Sequence, residues 1–152
     1  MSCRLVDLPP VHQSGEGSLG YAEAGPHIPF AVQRAFYLFD LAAGARRGGH
    51  AHRRDQQFLI CLQGRVRVST QRVDEQQVFT LSDCRQGLYL PSLTWIEILV
   101  EAPGTIVLVL AAQPYDEADY IRDHKQFRLA VAAEETGPGP ADGTPAPAAR
   151  QS

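Results

Sequence analysis

Apolar residues recur along this chain in short runs separated by glycine, proline and small polar residues, a pattern that predicts strands rather than helices. Residues 2–8 alternate well enough for a first strand, which Pro9 and Pro10 stop. A turn over Gln13–Gly17 leads to a second strand from Ser18 to Ala24, ended by Gly25-Pro26. The run Phe30–Phe39 is rich in aromatic and β-branched residues and predicts a long strand. On a strict pleat Phe30, Val32, Arg34, Phe36 and Leu38 share one face, and Ala31, Gln33, Ala35, Tyr37 and Phe39 the other. Both faces are partly apolar, so periodicity does not say which looks inward. Further strands are expected at Phe58–Leu62, Arg65–Ser69, Val78–Leu81, Gly87–Leu90 and Trp95–Val100, with a hairpin turn over Val73–Gln77. Thr105–Ala112 is continuously apolar and reads as a strand buried on both faces. Many short strands with turn residues between them point to a sandwich or barrel.

After Pro114 the pattern changes. Asp116 suits an N-cap with acidic residues in the first turn, and a terminal helix is expected from Phe127 to Glu135. From Thr136 onward glycine, proline, alanine and small polar residues dominate, which cannot bury a core. The expected organisation is one folded domain over 1–135 and a disordered tail over 136–152.

Composition narrows the classes. A length of 152 residues suits one domain with a real core, and 44% hydrophobic residues is ordinary for a globular chain. A net charge of −3 provides no basic field for nucleic acid, although local arginines can still hold a small anion. Three cysteines, Cys3, Cys61 and Cys84, have no metal spacing and suit a reducing cytosol; Cys61, inside an apolar run, reads as core filler. No segment reaches the roughly 18 apolar residues of a membrane span, and no signal-peptide core is present, so a cytoplasmic protein without a membrane partner is expected.

The chemistry-bearing stretch is Arg46-Arg47-Gly48-Gly49-His50-Ala51-His52. In an extended chain the side chains at i and i+2 leave the same face, with Cα atoms roughly 6.5 Å apart. His50 and His52 then project into one space. Gly48 and Gly49 give the backbone room to turn or a ligand room to approach, and Arg47 adds a cation suited to a phosphate or a developing oxyanion. Two histidines at this spacing also fit a polar surface strand, and the motif alone leaves both readings open.

Several segments taken together resemble one family. They are Ile28-Pro29-Phe30 with Arg34 and Tyr37-Leu38-Phe39-Asp40; Arg47-Gly48-Gly49-His50-Ala51-His52; Gly87-Leu88-Tyr89 with Trp95; and Val109-Leu110-Ala111 with Tyr115-Asp116-Glu117 and Asp119-Tyr120-Ile121-Arg122. In this order and register, from about Gly15 to Phe127, the chain resembles the cupin-fold dTDP-sugar 3,4-ketoisomerases, which also occur as C-terminal domains of larger sugar-modifying enzymes. The resemblance implies an all-β cupin, a jelly-roll β-barrel with a short C-terminal helical segment, and a homodimer able to exchange N-terminal strands. It implies a dTDP-4-keto-6-deoxyhexose as substrate and movement of its keto group from C-4 to C-3. An aminotransferase would then build a 3-amino sugar, as in lipopolysaccharide or O-antigen biosynthesis.

By the same resemblance His50 moves the carbon-bound proton, and His52 with Tyr37 passes protons between the oxygens or holds the enediolate. Arg47 steadies the oxyanion or pyrophosphate, and Arg34, Trp95 and Arg122 bind substrate. Each role has a plainer counterpart: Tyr37 as packing, Arg34 as a surface ion pair, Trp95 as core, and Asp119, Tyr120 and Arg122 as anchors of the terminal segment. The acidic group from Asp116 to Asp123 also fits a solvated face.

A metal-binding cupin supplies a glutamate four or five positions after its second histidine and another histidine from a later strand. Here those positions hold the amides Gln56 and Gln57, and Pro91–Ile96 contains no histidine. His12, His27 and His124 fall outside the expected barrel strands. The expectation is therefore a site with no metal and no cofactor. Two departures stand out: Ile96 follows Trp95 where family members carry a histidine or another polar residue, and Gln33 stands where lysine is common. Two other functions stay open, a nucleotide-sugar epimerase and a non-catalytic nucleotide-sugar-binding cupin module.

Overall fold

The computed structural model describes residues 1–9 and 12–136. All but the first residue of the expected disordered tail lies outside the described residues. The strands are β1 (Arg4–Asp7), β2 (His12–Ser14), β3 (Gly17–Leu19), β4 (Arg34–Leu41), β5 (Arg46–His52) and β6 (Gln57–Gln63). They continue with β7 (Val66–Gln71), β8 (Gln76–Leu81), β9 (Gln86–Leu90), β10 (Trp95–Val100), β11 (Thr105–Ala111) and β12 (Tyr120–Ile121), and the described residues end in α1 (His124–Thr136). A 3₁₀ turn over Glu117–Asp119 precedes β12.

The strands form two five-stranded antiparallel sheets, in the orders β1-β9-β6-β11-β4 and β12-β5-β10-β7-β8, with β2 and β3 as a separate hairpin. The first sheet turns Leu59, Cys61, Leu88, Leu90, Val107 and Val109 inward, and the second meets them with Val66, Val68, Ile96, Ile98 and Val100. Burying these aliphatic side chains at roughly 25 cal/mol per Å² of apolar surface is the main force closing the sandwich. Cys61 is core filler, as expected. Gly87 is required here because a Cβ would lie 2.0 Å from the Phe58 ring.

Part of each sheet's outer face is covered, in each case by a different part of the chain. Ile28 and Phe30 lie over Phe58, Ile60 and Tyr89 of the first sheet. Phe127 and Val131 of α1 cover Ala51 and Ile121 on the second. This use of Phe30 as a cover explains why β4 begins at Arg34 rather than Phe30. The strand expected over Ser18–Ala24 likewise ends at Leu19, because its partner β2 is short; Ala24 then meets Ile28 in an isolated bridge. β11 alternates between buried and half-buried residues instead of being buried on both faces. Asp116 caps the 3₁₀ turn by accepting from the Ala118 N–H at 3.0 Å. The helix starts three residues earlier than expected, where the Asp123 carboxylate accepts from the Lys125 N–H at 2.7 Å. No helix among the described residues is long and apolar enough to cross a membrane.

One irregularity aims the histidine strand. Ile96 pairs with His50 but Glu97 pairs with Gly48, so Gly49 is an extra residue bulged out of β5. Gly48 has φ +88°, and a Cβ on it would lie 2.8 Å from the Ile96 carbonyl oxygen; Gly49 has φ +72° and open space around it. Alanine at Gly48 therefore meets both left-handed strain and a backbone clash, and is expected to cost about 2–4 kcal/mol, against about 1–2 kcal/mol at Gly49. Urea unfolding of the two variants checks this, and equal costs would refute the steric account.

Candidate active site

Downstream of the bulge, β5 runs between two neighbours. Its His50 end pairs with β10, while Ala51 and His52 pair with Ile121 and Tyr120 of β12. The pleat then puts both imidazoles on one face, with ring centroids 5.1 Å apart, as the spacing predicted. Tyr120 lies against both, 5.1 Å from His50 and 4.3 Å from His52.

The two rings differ in surroundings. His50 lines a cavity of about 300 Å³ between the sheets, together with Arg34, Phe36, Arg47, Gln57, Ile96, Tyr115, Tyr120 and Arg122. His52 lies behind it, 6% exposed, and does not line this cavity. Its Nε2 is 3.2 Å from the Gln57 amide nitrogen, and its Nδ1 is 3.5 Å from Asp119 Oδ2. Asp119 is itself buried and accepts from the backbone N–H groups of Arg54 at 2.8 Å and Asp55 at 3.1 Å. Asp55, also buried, accepts from Arg34 Nη2 at 3.1 Å, the Gln113 N–H at 2.9 Å and Gln57 Nε2 at 3.4 Å.

Burial is the first cause that pushes His50 down to about 4, and neighbouring His52, Arg122 and Arg47 push the same way. His52 is also lowered to about 4 by burial, against the pull of Asp119. Both rings are therefore neutral near pH 7, the state in which an imidazole can accept a proton. The rim is cationic but tied. Arg122 makes a two-point contact with Glu117 at 2.9 and 3.0 Å and stacks on Tyr120 at 4.4 Å, while the Tyr115 hydroxyl donates to Glu117 at 2.6 Å. Burial raises Asp55, an effect opposed by its three donors.

Of the seven residues singled out from the sequence, the cavity gathers His50, Arg34, Arg47 and Arg122, with His52 directly behind. It does not gather Tyr37 or Trp95. β4 turns Arg34, Phe36 and Leu38 inward, so Tyr37, 63% exposed, is on the opposite face, and the aromatic ring that β4 itself presents to the cavity is Phe36, which has no hydroxyl. Trp95 packs against His124 and Phe127 of the terminal helix, with centroids 5.0 and 5.7 Å away. Ile96 is nearly buried in the cavity wall across from His50. Asp119 anchors the terminal segment, the plainer role weighed for it, and that anchoring also places it at His52. Gln57 and Tyr120 were not singled out for the site. The signal for Gln57 was its place after the histidine pair, where it counted only as a missing metal ligand. Among the described residues no three His, Cys, Asp or Glu side chains are grouped to hold a metal ion.

Comparison with known proteins agrees with this architecture. A family model described as FdtA: WxcM-like, C-terminal matches residues 1–132. A TDP-4-oxo-6-deoxy-alpha-D-glucose-3,4-oxoisomerase from Aneurinibacillus thermoaerophilus is 37% identical over 116 residues, covering 76% of this chain and 84% of that protein. The crystal structure of QdtA, a sugar 3,4-ketoisomerase from Thermoanaerobacterium thermosaccharolyticum in complex with TDP, superposes with a TM-score of 0.81 at 32% identity, covering 87% of this chain and 96% of that one. A histidine-to-asparagine mutant of QdtA in complex with TDP-4-keto-6-deoxyglucose gives a TM-score of 0.81 at 30% identity, covering 90% and 97%.

The lowered histidines have a consequence for stability. Both fall from the ordinary 6.5 to about 4 on folding, so the unfolded chain binds protons first as pH drops. The stability due to neutral rings is complete above pH 6.5 and is lost as pH falls toward 4. Melting temperature is expected to decline through that window, with a shallower slope in His50→Asn. An unchanged slope, or an imidazole NMR titration of His50 near 6.5, would contradict this account.

Proposed function

The chain belongs to the FdtA (WxcM-like, C-terminal) family, and on that footing we propose that it is a 3,4-ketoisomerase acting on a TDP-linked 4-keto-6-deoxyhexose. The observation that carries the reading is a neutral imidazole, His50, in the wall of a cavity whose other polar groups include three arginines. Moving a ketone between adjacent carbons requires a base for the hydrogen next to the carbonyl, a stabiliser for the resulting anion and a donor for the neighbouring carbon.

His50 takes the C-3 proton, and the electron pair left behind forms the C-3–C-4 double bond while the C-4 carbonyl oxygen becomes anionic. Arg47 and Arg122, which already act on His50 electrostatically, stabilise that oxygen. The C-3 hydroxyl proton passes to the C-4 oxygen through a hydroxyl carrier. Tyr120, beside both imidazoles, supplies this carrier in place of Tyr37. Protonated His50 then returns its proton to C-4 as the C-3 ketone forms, and no atom is gained or lost. Arg34, held by Asp55 at the cavity wall, binds the diphosphate.

Ile96, beside His50 on the neighbouring strand, offers no proton donor of its own, and in this reading His50 both removes and returns the proton, on one face of the ring. With a gluco-configured substrate this leaves the product C-4 hydroxyl axial. Incubation with TDP-4-keto-6-deoxyglucose in deuterated water, followed by proton NMR, is expected to show the ketone at C-3, with deuterium at C-4 in those turnovers in which the protonated His50 exchanges with solvent before the return. A small H-4–H-5 coupling in the product made in ordinary water marks the axial hydroxyl. Deuterium at C-3 or C-5 with the ketone still at C-4 would mean an epimerase, and binding without exchange a non-catalytic module. His50→Asn is expected to lose about 10²–10⁴-fold in rate.

The reading includes a homodimer. Tyr37 and Phe39, with ring centroids 5.8 Å apart, share the outer face of the first sheet with Leu62, and all three are about half exposed or more. Such an apolar patch suits a second copy of the chain. Light scattering is expected to give twice 16.6 kDa for the wild type, and a Tyr37→Ser/Phe39→Ser variant is expected to run as a folded monomer. A wild-type monomer would remove this part of the reading.

A further inference from the structure

Gln57 is buried at 4% exposure, projects between Asp55 and His52, and also lines the cavity. We infer that Gln57 is a positioning residue: it fixes which ring nitrogen of His52 carries the proton, and so reserves proton transfer for His50. The geometry gives the chain of causes. Asp55 is bound by the Arg34 guanidinium and the Gln113 N–H, so its Oδ2, 3.4 Å from the Gln57 amide, presents lone pairs and requires a donor. That sets the orientation of the amide, with its NH₂ toward Asp55 and its oxygen away. The second amide hydrogen is then free to point at His52 Nε2, 3.2 Å distant. A nitrogen facing a donor must carry a lone pair, so the His52 proton sits on Nδ1.

The other side of the ring reaches the same answer independently. Nδ1 is fully buried, with no hydrogen bond inside normal limits among the described residues, and Asp119 Oδ2 stands 3.5 Å from it. A lone pair there would face a carboxylate; an N–H faces it favourably. The two ends therefore agree, and the row Arg34–Asp55–Gln57–His52–Asp119 alternates donors and acceptors, its last link being the long 3.5 Å approach of Nδ1 to Asp119.

Two consequences follow. His52 Nε2 is already occupied, so this ring accepts no proton from substrate. A proton added at Nε2 would point at the Gln57 NH₂, donor against donor, which keeps the inner ring uncharged beside His50. The row also begins at Arg34 in the cavity wall, so the group assigned to the diphosphate and the ring behind the base are held by one set of contacts.

Two-bond nitrogen–proton NMR correlations on the full-length wild type at pH 7 test the tautomer without any variant. A bare Nε2 and a protonated Nδ1 are expected for His52; the reverse pattern overturns the inference. Gln57→Glu replaces the donor with an acceptor and is expected to move the His52 proton to Nε2, whereas Gln57→Leu is expected to give a mixture of the two forms. An unchanged Nδ1-protonated ring in both variants would also overturn it. The role in turnover rests on the ketoisomerase reading. There Gln57→Leu is expected to lower kcat roughly 10- to 100-fold, the range seen for partners that orient metal-bound imidazoles, with little change in KM. Wild type without isomerase activity but with the stated tautomer would refute the function and leave the positioning intact. The reversed tautomer in an active isomerase would do the opposite.

Discussion

The carboxylate of Asp119 is the tie on which the site's order depends. It is buried, and it accepts the backbone N–H groups at the turn between β5 and β6 while standing against His52. A buried anion is costly unless its oxygens are fully engaged, and losing one partner of such a set costs far more than the set contributes in net stability. The same contacts therefore do two jobs. They dock β12 on the edge of β5, and by doing so they bring Tyr120 against the histidine pair. The short terminal strand is held by hydrogen bonds to a single side chain as much as by its own two-residue ladder.

Around this tie the cavity is an exception within an otherwise apolar sandwich. Leu59, Ile96, Ile98 and Val109 face the same space as Arg34, Arg47 and His50. The hydrocarbon wall keeps imidazoles neutral by denying solvation to their charged form, and the arginines add repulsion toward any proton. The low-dielectric surroundings that penalise a protonated ring also strengthen the attraction between a guanidinium and an oxyanion. One environment thus favours both a neutral imidazole and a strong guanidinium–anion attraction.

Much of this was legible in the sequence because it rests on local rules. Alternation located most strands, and the two-residue spacing of His50 and His52 placed both on one face. The adjoining glycines were legible as a turn, though the bulge at Gly49 depends on where β10 pairs and has no local signature. Other features escaped because they are decided by tertiary choice. Both faces of β4 are apolar enough to be inward, so hydropathy could not say that Phe36 and not Tyr37 faces the cavity. Trp95 fits either a stacking platform or a core anchor by type, and the position of α1, set by Phe127 and Val131, chose the second. Gln57 was silent because a glutamine has no titration and no metal preference; its meaning lies in what stands on either side of it. Asp119 was legible as an anchor, and only the fold reveals what else it touches.

Ala51, the residue between the two histidines, is fully buried beneath Phe127 and Val131 of α1. The strand that carries His50 and His52 is thus pressed from outside by α1, which contributes no residue to the cavity. Natural variation among a few aliphatic side chains on that helix could shift the pitch of the two rings by fractions of an ångström without altering any residue in the cavity. Selection can retune this enzyme from its back.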